Sequence, residues 1–255
     1  MLPSIEVMSG ILGLVIGSFL NVVIVRLPKD QSLIRPGSAC PRCGRSLKWY
    51  ENIPVLSFLM QMGRCRGCKA SISLRYPLVE ALTGVVFFVV AREVGEQPLV
   101  LVRDLVLIAG LIAVVFIDLE HRIIPDPISI GGAVFALLTA PFVPLGAVQA
   151  FLGAALGFGT FLAFAWIYQK ITGRMGLGGG DIKLMAYLGG FLGAQSLLTT
   201  ILVSSLTGSL IGIGYAVFRR EKDVMQLAVP FGPFLVAGAM GYYFFGDFLA
   251  RFVFF

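Results

Sequence analysis

Six side chains carry most of the chemistry this sequence could perform. Asp118 closes a long apolar run, Ile108 to Ile117, and Asp181 follows three glycines in Gly178-Gly179-Gly180-Asp181-Ile182-Lys183. Cys40 and Cys43 form one CxxC pair, and Cys65 and Cys68 form a second with 21 residues between the pairs. Two carboxylates brought together can hydrolyse a peptide bond. The ionised one takes a proton from water while the protonated one donates to the carbonyl oxygen. Two CxxC hairpins can close a tetrahedron of thiolates around zinc. His121 is the sole histidine, which excludes HExxH zinc proteases and multi-histidine metal centres. A Ser–His–Asp triad would have to use that residue.

The elements that must position these groups are membrane helices. Of the 255 residues, 57% are hydrophobic and 13% charged, where a soluble domain has about 25% charged. The mean hydropathy is +0.90. The class is an all-α polytopic membrane protein. Apolar runs at 5–25, 77–91, 99–117, 127–143, 147–168, 182–193, 196–218 and 231–254 predict about eight transmembrane helices. The first run lacks a basic leader and a small-residue cleavage site, so it reads as a retained helix. The run at 182–193 is short, about 18 Å at 1.5 Å per residue, and could be re-entrant.

Charge settles the parity. If every run crosses, one side holds Arg26 to Arg75, Arg122, Lys170, Arg174, Lys183, Arg219, Arg220 and Lys222. That is 17 basic residues, against Arg92, Arg103 and Arg251 on the other side. The positive-inside rule then puts the cysteine loop and both aspartates in the cytoplasm and both termini outside. The same rule explains the net charge of +6 without nucleic acid as a partner. The partner surface is the lipid bilayer. The sequence divides into one integral membrane domain, 1–255, with a cytoplasmic zinc-ribbon-like loop at 26–76 between helices 1 and 2. The aspartates belong to the helices of 99–255. No internal repeat stands out.

Each candidate has a structural reading beside the chemical one. Asp126 precedes Pro127 and reads as a helix N-cap. Glu120 and His121 read as solvated loop residues. Asp181 could be a plain N-cap for the helix that opens at Ile182, yet three preceding glycines would let another backbone approach its carboxylate. Asp118 is placed after a helix end, where capping does not explain it and a negative charge is unfavourable. The cysteines could form two disulfides, but a reducing cytoplasm favours zinc. Four sulfurs leave no open position, so the metal would be structural. Intramembrane carboxylates also serve proton-coupled transporters. A carrier, however, would pair its short Gly-interrupted helix with a second in a repeat.

Taken along the chain, these segments resemble the type IV prepilin leader peptidase family, GxGD membrane aspartyl proteases that include the type II secretion prepilin peptidases. The resemblance runs through Gly17-Ser18-Phe19-Leu20-Asn21-Val22, Arg26-Leu27-Pro28, both CxxC pairs, Glu51-Asn52-Ile53-Pro54 and Arg75-Tyr76-Pro77-Leu78-Val79-Glu80. It continues through Asp118, Ile124-Pro125-Asp126, Gly178 to Leu184, and Pro230-Phe231-Gly232-Pro233-Phe234. It implies a bifunctional enzyme of the bacterial inner membrane. That enzyme cleaves the leader of prepilins or pseudopilins after a Gly, then N-methylates the new terminus with S-adenosylmethionine. It also implies that Asp118 and Asp181 are catalytic, with Gly178, Gly180 and Lys183 supporting the protease motif. By the same resemblance Cys40, Cys43, Cys65 and Cys68 bind zinc, and Gly63 and Glu80 are associated with methyl transfer. No Gly-rich dinucleotide fingerprint follows a strand, so methyl transfer rests on the resemblance alone.

Overall fold

A computed structural model describes residues 3–219 and 230–253. Arg220, Lys222 and the last residue of the 231–254 run lie outside them. Among the described residues there are eight long helices. They are α1 (Ile5–Arg26), α3 (Arg75–Val94), α4 (Pro98–His121), α5 (Asp126–Thr139), α6 (Gly146–Thr172), α7 (Gly179–Leu192), α8 (Ser196–Arg219) and α9 (Gly232–Val253). Each coincides with one of the apolar runs. A five-residue helix, α2 (Leu56–Met60), lies in the cysteine loop. By length and composition, Ile5–Lys29, Pro98–His121, Gly146–Thr172 and Ser196–Tyr215 can cross a membrane.

The chain forms two compact units, Met1–Ala113 and Val114–Phe255. In the first, α1 packs along α3. A Cβ on Gly13 would sit 2.6 Å from the Thr83 carbonyl oxygen, so the missing side chain is what allows the backbones to meet. Lipid is as apolar as Leu, so helices in a bilayer associate through this close packing and not through hydrophobic expulsion.

In the second unit α7 is the hub, packed against α5, α6, α8 and α9. Its Leu184, Met185, Tyr187, Leu188 and Phe191 are almost wholly buried, as expected of a helix that is apolar all round. Gly153 of α6 and Gly189 of α7 touch backbone to backbone. At 14 residues, α7 is about 21 Å long.

Two local expectations are corrected. Asp118 does not follow a helix end. Helix α4 runs on to His121, and Arg122, at φ +56°, closes the last turn by donating its N–H to the Asp118 carbonyl. Polar Glu120 and His121 are therefore helical, because backbone hydrogen bonding does not require apolar side chains. Asp126 is not an N-cap either. Pro125 caps α5, and Asp126 is its first helical residue, with no side-chain cap bond formed at that terminus.

Candidate active site and cysteine cluster

The ends of four helices of the second unit converge where the aspartates lie. Asp118 sits in the last turn of α4, 5% exposed. Its Oδ2 accepts the backbone N–H of Gly232, the first residue of α9, at 2.8 Å. A Cβ on Gly232 would stand 2.7 Å from that oxygen, so only glycine brings the α9 terminus this close. Helix N-termini favour negative charge through their free N–H groups.

Asp181 occupies the third position of α7, not its N-cap, which is Gly178. Its half-buried carboxylate accepts the Gly178 N–H at 3.2 Å. The Asp118 carboxylate is near enough to act on it electrostatically. Gly180 faces Ile124, whose Cβ would lie 2.9 Å from an added Cβ. The nearest atoms are those of the Ile124 side chain, with its backbone N at 3.4 Å, so Gly180 makes room chiefly for that side chain. Gly179, by contrast, borders open space. Lys183, one turn after Gly179, donates to Asp126 Oδ1 at 2.7 Å. This pair, and not a cap, is the role of Asp126. It ties the start of α5 to the start of α7.

The sequence reading did not assign Gly232 to the site. The signal was present in Pro230-Phe231-Gly232-Pro233-Phe234, but nothing in the sequence pairs that turn with a residue 114 positions earlier.

In the first unit the four cysteines meet, and all four sulfurs lie within 4.8 Å of one another. The Cys40 and Cys68 sulfurs are 3.8 Å apart. A tetrahedral zinc with Zn–S of about 2.3 Å has S···S edges of about 3.8 Å, so the donor set suits that metal. No disulfide is present among them. The two halves share one design. Cys40 N–H donates to Arg45 and Cys65 N–H to Ala70, while Gly44 and Lys69 donate back to Cys40 and Cys65. Each knuckle closes with a bridge, Ala39 to Ser46 and Arg64 to Ser71. This is a local repeat that the sequence reading passed over.

The knuckle backbones hold thiolate charge. N–H groups of Cys68 and Gly67 lower the Cys65 thiol to about 6. Those of Cys43 and Arg42 lower Cys40. The Arg45 N–H also acts to lower Cys43, but Cys40, burial and the other sulfurs push it up to about 11.

Gly63 adopts φ +64°, and a Cβ there would be 3.0 Å from the Phe58 ring. Glu80 on α3 is buried, and its Oε2 accepts the Val55 N–H at 2.7 Å.

The fold and site define a helical membrane protein with paired aspartates at one end of its helices and a four-cysteine cluster. Two family models match. The bacterial peptidase A24 N-terminal domain covers residues 11–94, and the type IV leader peptidase family covers 105–213. The chain is 39% identical over 267 residues to a prepilin leader peptidase/N-methyltransferase of Aeromonas salmonicida, spanning 93% of this chain and 90% of the relative. A Pseudomonas aeruginosa protein of the same name is 35% identical, with 94% and 90% covered. One from Myxococcus xanthus is 47% identical over 83% of this chain and 63% of its own length. No solved structure matches. This chain belongs to the type IV leader peptidase family, which sets the carrier reading aside.

Proposed function

We propose that this chain is a bifunctional prepilin peptidase of the bacterial inner membrane. It cuts the leader from type IV prepilins or type II secretion pseudopilins after a Gly and then methylates the new terminal amine. The observation that supports the cleavage reading is that Asp118, in the last turn of α4, and Asp181, in the first turn of α7, lie within electrostatic reach of each other, each bound by a backbone N–H. One carboxylate, ionised, draws a proton from water, and the water oxygen attacks the scissile carbonyl. The other, protonated, donates to the carbonyl oxygen as it gains charge. The Gly232 N–H holds the Asp118 oxygen in place, and the Gly178 N–H does the same for Asp181. A substrate Gly next to the cut eases the local unwinding that frees a helical carbonyl for attack.

All eight long helices cross the membrane in this reading, and the charge bias supports a cytoplasmic position for the aspartates and the cysteine loop. Cys40, Cys43, Cys65 and Cys68 hold one structural zinc that staples a loop too small to build its own core. S-adenosylmethionine supplies an electrophilic methyl group for the second activity, with Gly63 and Glu80 as supporting residues. Incubating the purified protein with a prepilin, with and without S-adenosylmethionine, tests both. Mass spectrometry should show loss of the leader in either case and an added methyl with the cofactor only. An uncut prepilin would overturn the proposal.

A further inference from the structure

The first unit contains a cavity of about 580 Å³ between the end of α1, the cysteine loop and the start of α3. Small-molecule sites run from about 300 to 1,000 Å³. The walls carry both signs of charge: Glu51 and Glu80 on one hand, Arg26 and Arg42 on the other. They also include Asn21, which is 2% exposed. Its Nδ2 donates to the carbonyls of Gly17 and Tyr76. Those two acceptors fix which way the amide faces, and its Oδ1 is left buried with no partner. A buried acceptor without a donor is costly unless something fills the gap.

Backbone strain gathers at the same place. Val55, two residues before the wall residue Ser57, has φ +60° and ψ −50°. For a β-branched residue this is a true outlier, and such strain concentrates at ligand sites. The Glu80 carboxylate secures it by accepting the Val55 N–H. A second cavity of about 500 Å³ adjoins the first and shares Ser18, Val22, Arg26, Ser38 and Asn52 with it.

We infer that this cavity is the binding site for S-adenosylmethionine, with the Asn21 Oδ1 and the Glu80 carboxylate as its polar anchors; this rests on the methyl-transfer half of the proposed function. The chemistry of the donor matches the walls. Its ammonium, adenine amino group and ribose hydroxyls are hydrogen-bond donors of the kind the Asn21 Oδ1 lacks. Its sulfonium is a fixed cation that suits a buried carboxylate. Its carboxylate suits the arginine side of the cavity. The adjoining cavity gives a second molecule access across the shared wall, which a group-transfer site requires. The Gly63 region lies against this cavity through Phe58 and Gln61, both wall residues.

The test uses the full-length protein in detergent with zinc bound. An azido-adenosyl analogue of S-adenosylmethionine is photo-cross-linked, competed with S-adenosylhomocysteine, and the labelled peptides are mapped by mass spectrometry. Label confined to peptides spanning 18–26, 38–61 or 70–80 supports the site. Competable label in residues 114–255 alone overturns it while leaving methyl transfer intact. No competable label at all, at donor concentrations that support methylation in other enzymes, removes the methyl-transfer reading itself. Calorimetry on Glu80→Gln supplies the second readout. Gln keeps the shape and an acceptor for Val55, so zinc content should be unchanged. Affinity for the cationic donor should fall about tenfold or more, and that for uncharged-sulfur S-adenosylhomocysteine should fall less. Wild-type affinity for the donor in this variant overturns the role of Glu80 and, with it, the placement.

Discussion

Replacing Gly232 by Ala should damage cleavage more than any change to the glycines of the Gly-Gly-Gly-Asp segment. The added Cβ would stand 2.7 Å from Asp118 Oδ2 and 3.2 Å from its Cγ. Ordinary contact begins near 3.4 Å, so carboxylate and helix end must separate by about 0.7 Å. The carboxylate cannot swing away freely, because it is 5% exposed and bound to the Gly232 N–H. A 1 Å misplacement at a reacting centre costs about 10²-fold. The expected loss in kcat is therefore about 10- to 100-fold, or about 1.4–2.7 kcal/mol of activation free energy. Gly180→Ala meets the Ile124 Cβ at 2.9 Å, one residue from Asp181, and should lose less, about 3- to 10-fold. Gly179→Ala meets nothing within 4 Å and has no positive φ to forbid it. It should cleave like the parent and gain up to about 1 kcal/mol in stability. The assay is prepilin cleavage in nanodiscs, with thermal melting as the check on folding. If Gly179→Ala were as damaging as Gly232→Ala while both remained folded, the contact-based reasoning would be wrong.

Other consequences concern the cysteine loop and the ion pair. Elemental analysis should find about one zinc per chain, and Cys40→Ser with Cys65→Ser should remove it. Full retention of metal would refute the assignment. Zinc uptake by stripped protein near pH 7.5 should release at least one proton, because Cys43 near 11 still holds its proton there while Cys65 near 6 has lost it. A calorimetric heat that does not depend on the buffer's ionisation enthalpy would contradict this. Gly63→Val must adopt φ +64° and meet the Phe58 ring, so methylation should fall more than cleavage. Equal loss of both in a mass-spectrometric assay would mean that the change disturbs more than the cysteine loop. Lys183→Met breaks a partly exposed pair with Asp126, worth about 0–1 kcal/mol. Cleavage should drop less than about fivefold, and a complete loss would assign Lys183 a direct part in the chemistry.

The helices were legible because bilayer-length apolar runs are a long-window signal. Run 147–168 became Gly146–Thr172, and 196–218 became Ser196–Arg219. Their chemistry-bearing ends were less so. The polar Leu119-Glu120-His121 segment hides the last turn of α4, which continues until Arg122 turns to positive φ. Asp126 looked like a cap from Pro127 alone. Its partner Lys183 is 57 residues away, and local sequence rules do not see across that distance. The cysteine tetrad could be read from spacing, whereas the twin knuckles needed the backbone bonds to become visible. The aspartates could be picked out singly. That they come within electrostatic reach of each other, and that the α9 terminus reaches Asp118, follows from helix packing that no short motif encodes.

The proposed mechanism requires Asp118 and Asp181 to work as a pair. Each is converted to Asn, which keeps the shape but cannot exchange the proton, and prepilin cleavage is followed in nanodiscs at saturating substrate. Zinc content and melting temperature confirm that each variant is folded. No detectable leader release is expected from Asp118→Asn or from Asp181→Asn, however long the incubation. Substantial cleavage by either folded variant would contradict that mechanism.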